Sequence, residues 1–273
     1  MLTLAWVMLI GLAVTALLLP WSGTAPISAS SVMWLVLGGA GNVAGLLLLY
    51  RALRIGQMGV VMPIVSAEGG IAAVLAIVAG QPVSALRAAA LALTVLGVTL
   101  TAVMGRPQDA ARPGAPVADQ TGALPSQVIH TPRGHGDRRA AGWAAVAALS
   151  MGISLFGTGR AGSVLPTAWA VMPPRVIGVI AITIPLALCR RLHCPPGTVH
   201  LLLVAAVCEV GGFFAYATGA RHGIAVAAVL ATLTGAIGAG FGRLLFGERL
   251  SPSQVAGVLT IFVGVASLSG LSA

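Results

Sequence analysis

The sequence predicts an all-α, polytopic helical membrane protein: two inverted repeats of five helices with the first helix missing, so that nine helices are present. Three observations carry this. Only 8% of the 273 residues are charged and 58% are hydrophobic, whereas a soluble domain carries about 25% charged residues. The apolar residues fall into runs close to the ~20 residues that cross the hydrocarbon core of a bilayer. The chain also matches itself at one constant offset of 167 residues. The composition excludes a cytosolic enzyme, a secreted disulfide scaffold and a disordered chain. Helices are expected rather than a barrel, because the runs are too long and too evenly apolar for alternating strands. The 36 glycines and 16 prolines agree with this, both being commoner in membrane helices than in soluble ones.

Nine segments follow in order: 2–20, 32–50, 57–79, 86–104, 141–158, 166–189, 200–220, 224–246 and 252–271. The first has no positive region ahead of it, the first basic residue being Arg51, so it reads as a membrane helix and not as a cleaved leader. Short polar turns at Arg51–Gly56, Gly80–Ala85 and Arg221–Gly223 make neighbouring helices antiparallel. The stretch 105–140 is rich in Pro, Gly, Asp and Arg and has no apolar period; it reads as a disordered linker. It divides a first half, 1–104, from a second half, 141–273.

At the 167-residue offset Gly45 meets Gly212, Arg54 meets Arg221, Gly56 meets Gly223, Gly80 meets Gly247 and Ser84 meets Ser251. The register holds without a gap across three helices. Segments 1 to 4 then correspond to segments 6 to 9, and segment 5 has no counterpart. The repeat unit is therefore five helices. An odd unit inserts its two copies in opposite orientation, the inverted repeat of secondary transporters. The empty slot opposite residues 141–158 predicts that the native gene encodes one further helix upstream.

The residues Leu49-Tyr50-Arg51-Ala52-Leu53-Arg54-Ile55-Gly56, followed by a Pro-containing helix, resemble the third-to-fourth helix turn of EamA-like carriers in the drug/metabolite transporter superfamily. Phe246-Gly247-Glu248-Arg249-Leu250-Ser251 is similar to the Gly-Glu-Arg turn before that family's last helix. The resemblance covers nearly the whole chain outside the linker and implies ten helices as two inverted five-helix repeats. Two features depart from it: the first helix is absent, and the first-half turn reads Gly80-Gln81-Pro82.

The formal net charge is +9, and all fifteen basic residues are arginine. Most stand between apolar runs, where positive charge sets membrane orientation, so no nucleic-acid partner is expected. Eleven arginines fall on the side of the linker, among them Arg51, Arg54, Arg190, Arg191, Arg243 and Arg249. Three, Arg87, Arg160 and Arg221, fall on the other side. The linker side is therefore expected to be cytoplasmic, with the C-terminus outside; the family resemblance would place the C-terminus inside.

No hydrolytic or metal motif survives inspection. The five histidines lack ligand spacing, and Cys189, Cys194 and Cys208 are too few and too scattered for a disulfide framework. No cofactor is expected, and no enzymatic activity. Polar residues inside the apolar runs carry the chemistry. Glu68 lies midway in segment 3 and Glu209 midway in segment 7. A carboxylate at the bilayer centre costs several kcal/mol, so each should face a cavity, have a partner or carry a proton. Asn42 stands 167 residues before Glu209, so both halves place a polar group at one depth. The competing reading is an interhelical hydrogen bond worth ~0.6 kcal/mol.

Arg175 follows Pro173-Pro174. A helix starting at Pro173 would leave it at the interface; otherwise it faces the cavity and could hold an anion or pair with a glutamate. Tyr50 and Tyr216 read as interface-belt residues or as gates. The faces Gly38–Gly45 and Gly235–Gly242 read as close helix packing, or as surfaces that slide during transport.

The function these features predict is a secondary carrier. It moves a small organic metabolite or drug across the plasma membrane by alternating access, with export as the expected direction. Glu68, Glu209, Asn42, Arg175 and Tyr216 are the expected substrate-binding residues. The expected partners are the small-molecule substrate, the lipid bilayer and a second copy of the chain in a homodimer. The alternative is a flippase for a lipid or lipid-linked headgroup.

Overall fold

A backbone in hydrocarbon must satisfy its own hydrogen bonds, and for apolar runs of this length the helix does so within one segment. The computed structural model describes residues 2–24, 27–56, 58–103, 135–190, 192, 198–231 and the single positions 256, 259, 260 and 263. These are helices and turns, with no strand among them. In chain order they are α1 (Leu2–Leu18), α2 (Ala29–Ile55), α3 (Met58–Val65), α4 (Glu68–Val78), α5 (Ala85–Val103), α6 (His135–Val164), α7 (Thr167–Gly178), α8 (Ile184–Leu188), α9 (Val199–Gly219) and α10 (Ile224–Ala231). Among the described residues five stretches are long and apolar enough to cross a membrane: Leu2–Ser22, Ala29–Ile55, Arg139–Val164, Thr167–Leu188 and Val199–Gly219. The chain is a multi-pass, all-α membrane protein.

Several boundaries differ from the sequence expectation. Segment 3 is broken: α3 ends at Val65, and α4 begins at Glu68 after a turn at Ser66–Ala67. Ser66 bonds its hydroxyl back to the Met62 carbonyl at 2.9 Å, and Gly69-Gly70 follows; both weaken a continuous helix. The segment expected at 166–189 is α7 and α8 joined by a π-helical turn, Val179–Thr183. The last residues of the supposed linker are helical, since α6 starts at His135. A helix of 30 residues runs ~45 Å at 1.5 Å per residue, so its polar first turns reach past the hydrocarbon. The rest of the linker, most of segments 8 and 9, the Gly235–Gly242 face and the Gly247–Ser251 turn lie outside the described residues.

α2 and α6 form the most extensive helix pair, and glycine makes it possible. A Cβ on Gly38 would stand 2.7 Å from the Thr158 hydroxyl, and one on Gly41 3.0 Å from the Ser150 carbonyl. Gly45 faces Met151 at closer range still. Ser150 and Ser154 of α6 donate to the carbonyls of Gly41 (2.9 Å) and Gly38 (2.6 Å). The Gly38–Gly45 face is thus the packing surface expected of small residues. α7 lies against α2, and α1 lies against α9 and α7. α4 is held between α6 and α10. α9 contrasts with α2: Leu203, Val204 and Val207 are exposed, and neither Gly211 nor Gly212 has a heavy atom within 4 Å of an added Cβ.

The helix ends gather as the alternation of segments requires. At the end nearer the linker, the Arg51 guanidinium lies 4.5 Å over the Trp143 ring. At the opposite end Arg160 lies 5.6 Å over Trp34. There Arg221 also donates to the carbonyls of Gly162 (3.0 Å) and Leu165 (2.9 Å), tying the end of α9 to that of α6. The Gln81 side chain caps the start of α10, accepting from Ala225 N–H at 3.2 Å.

Candidate functional site

Four of the five polar residues singled out in the sequence line one cavity. Asn42 comes from α2, Glu68 from α4, and Glu209 and Tyr216 from α9. The cavity measures about 570 Å³ and is bounded further by α6 and α10. That is within the ~300–1,000 Å³ of small-molecule sites. Asn42 and Glu209, one repeat length apart, line the same space.

Each side chain is placed by a local feature of its helix. Glu68 is the first residue of α4, not the middle of an unbroken helix, because of the turn at Ser66–Ala67. Free backbone N–H groups and the helix dipole favour negative charge at that end. Gly152 of α6 seats this turn: a Cβ there would stand 2.9 Å from the Glu68 carbonyl and 2.7 Å from Ile71. Tyr216 is buried and donates its hydroxyl proton to the Leu155 carbonyl at 2.6 Å. It lines the cavity with its hydroxyl already bonded and is neither an interface-belt residue nor a free donor. Tyr50 is half-buried beside α1 and lies outside the site.

Of the two placements the sequence left open for Arg175, the interface or the bundle interior beside a glutamate, the structure has the second. α7 starts at Thr167, so Pro173 and Pro174 lie inside it and carry Arg175 into the bundle, where it is 0% exposed. Membrane helices tolerate internal proline where neighbours and local π adjustments re-satisfy the backbone, and the π-helical turn follows at Val179. Arg175 Nη1 stands 3.4 Å from Glu209 Oε1, and its guanidinium lies 4.8 Å over the Phe213 ring. Gly11 of α1 makes the room, since a Cβ there would come within 3.2 Å of Arg175 Nε. The pair is an ion contact, not a hydrogen-bonded fork: none of the three guanidinium nitrogens has a hydrogen-bond partner, nor has Glu209 Oε2 or Asn42 Nδ2. Arg175 therefore stands behind Glu209, outside the cavity lining.

Phe213 was not singled out from sequence, although the signal was present. Glu209, Phe213 and Tyr216 recur at helical spacing along one face of α9. Leu46 lines the cavity one turn after Asn42 for the same reason. Among the described residues no group of three His, Cys, Asp or Glu is placed to hold a metal.

The architecture is that of a polytopic membrane protein: a bundle of membrane-crossing helices around a solute-sized cavity, with an ion pair at its wall. Residues 138–270 match the EamA-like transporter family, which supports a membrane transporter of the drug/metabolite type. The family is the one that the turns at Leu49–Gly56 and Phe246–Ser251 resemble. A protein known from its crystal structure is 16% identical, with a TM-score of 0.67 over 99% of this chain and 87% of its own. That likeness bears on the fold alone. No curated protein matches the chain.

Proposed function

We propose that the protein is a secondary carrier that moves a small organic solute across the plasma membrane by alternating access, binding it in the cavity between α2, α4, α6, α9 and α10. One observation carries this reading: Asn42 and Glu209, equivalent in the two halves, meet at one cavity inside the helices. Polar groups at that depth are expensive, and lining a solute path accounts for both. Glu68, Glu209, Asn42 and Tyr216 contact the solute, and Arg175 holds Glu209 in place. Export is the direction proposed, with the linker 105–140 on the cytoplasmic side. No acid–base or metal constellation among the described residues suggests an enzyme. The test is flux of a panel of labelled metabolites from proteoliposomes of purified protein. Flux that saturates and depends on protein is the expected result; the same leak as protein-free vesicles for every compound rejects the carrier.

A flippase is the second reading, and one feature favours it. Cys208, Gly212 and Ala215 line the cavity and are exposed, so the cavity is open along α9. Protein-dependent transfer of a fluorescent phospholipid between leaflets, without metabolite flux, would select this alternative.

A further inference from the structure

We infer that the cavity is selective for an amphipathic organic cation, an ammonium group on an apolar or aromatic body, with Glu68 as its counter-ion. The inference rests on the carrier reading and follows from the charges and donors around the cavity. Two carboxylates line it, Glu68 and Glu209. Glu209 is neutralised by Arg175 at 3.4 Å, which has no other acidic neighbour among the described residues. Glu68 has no basic residue within ion-pair distance among them. Among the described residues the cavity and its wall thus hold one carboxyl group without a counter-ion, in a medium where a lone carboxylate is costly. A cation entering the cavity supplies the missing partner.

The hydrogen-bond donors point the same way. An anionic solute needs free N–H or O–H groups. Tyr216 gives its hydroxyl proton to Leu155 at 2.6 Å, and Ser154 gives its own to Gly38 at 2.6 Å. The Asn42 amide is left, neutral and alone. Arg175 is fully buried behind Glu209 and Phe213 and does not reach the cavity. Among the described lining residues an anion would meet two carboxyl groups and one amide. The remaining lining suits the body of an amphipathic cation. Leu46, Met151 and Leu230 are apolar, and the rings of Phe213 and Tyr216 offer faces that attract a cation. Phe213 already holds a guanidinium in this way at 4.8 Å.

The test uses three aromatic solutes of similar size that cross lipid poorly unaided: benzyltrimethylammonium, benzenesulfonate and zwitterionic phenylalanine. Protein-dependent flux of each is measured in proteoliposomes of the full chain, and binding by equilibrium dialysis in detergent. The cation should bind and move at least tenfold better than the sulfonate. Glu68→Gln should remove at least tenfold of the cation's binding, while Glu68→Asp keeps the preference. Movement of the sulfonate or of phenylalanine without the cation overturns the inference and leaves the carrier standing. Undiminished cation binding in Glu68→Gln overturns the role of Glu68. Failure of all three to bind or move, where other metabolites do move, overturns the cation selectivity; failure of every solute rejects the carrier itself. Should Glu68→Gln not purify as folded protein, Glu68→Asp and the ranking of the three solutes in the parent decide.

Discussion

Met8 of α1 lies against Gly178 of α7, its sulfur 2.8 Å from where a Cβ on that glycine would stand. The same crossing holds the reciprocal contact, Arg175 of α7 against Gly11 of α1. Met8 and Arg175 are one repeat length apart, as are Gly11 and Gly178. Exchanging the halves turns one contact into the other, as residues related by a two-fold axis do. One helix puts a thioether into its glycine notch and the other puts a charge. Only the second has a carboxylate, Glu209, waiting beside it.

The notch gives the first prediction. Gly11→Val should press on Arg175, separate it from Glu209 and destabilise the protein by about 1–3 kcal/mol, the usual cost of overpacking. Gly39→Ala should also destabilise, because its Cβ would stand 2.9 Å from the Pro173 backbone. Gly211→Ala meets nothing within 4 Å and should hold or raise stability by up to ~1 kcal/mol through helix propensity. Thermal unfolding in detergent checks all three.

Breaking the ion pair should cost more than neutralising it. Arg175→Met alone leaves the Glu209 carboxylate unpaired near the bilayer centre and should lose about 3–5 kcal/mol. Combining it with Glu209→Gln should recover most of that loss. A double-mutant cycle on the melting transitions measures the coupling, and simple additivity would show that the 3.4 Å contact contributes nothing.

Tyr216 separates ring from hydroxyl. Tyr216→Phe removes the bond to Leu155 and should cost about 1–3 kcal/mol for the buried carbonyl left unpaired, with little change in solute affinity. Tyr216→Ala should weaken solute binding as well, because it removes a cavity wall. Equal affinity losses in the two variants would place the hydroxyl, not the ring, against the solute.

For orientation, a cysteine placed in the linker 105–140 of a cysteine-free variant should resist an impermeant maleimide in intact cells and react after lysis. Labelling of intact cells would reverse the orientation drawn from the arginines.

Much of this site was legible in the sequence because membrane burial makes polar residues conspicuous. Asn42, Glu68 and Glu209 stood out against apolar runs, and the 167-residue register placed two of them together. What was not legible depended on backbone detail that composition conceals. Ser66 looks innocuous, yet its bond to Met62 helps end α3 and makes Glu68 a helix-start residue. Pro173-Pro174 signals a helix start in water, where an internal proline is costly. Inside the bundle α7 runs through both and buries Arg175. Phe213 escaped notice because an aromatic residue in an apolar run carries no contrast.

The open side of α9 bears on the solvent that the cavity meets. Where α2 has α6 across its glycines, α9 leaves Gly211 and Gly212 uncovered, and its inner face is the cavity wall. On that side the cavity is open, Gly212 being both uncovered and part of its lining. In the 167-residue register α9 corresponds to α2, so the helix expected upstream, the counterpart of α6, has its seat on this face beside Glu209.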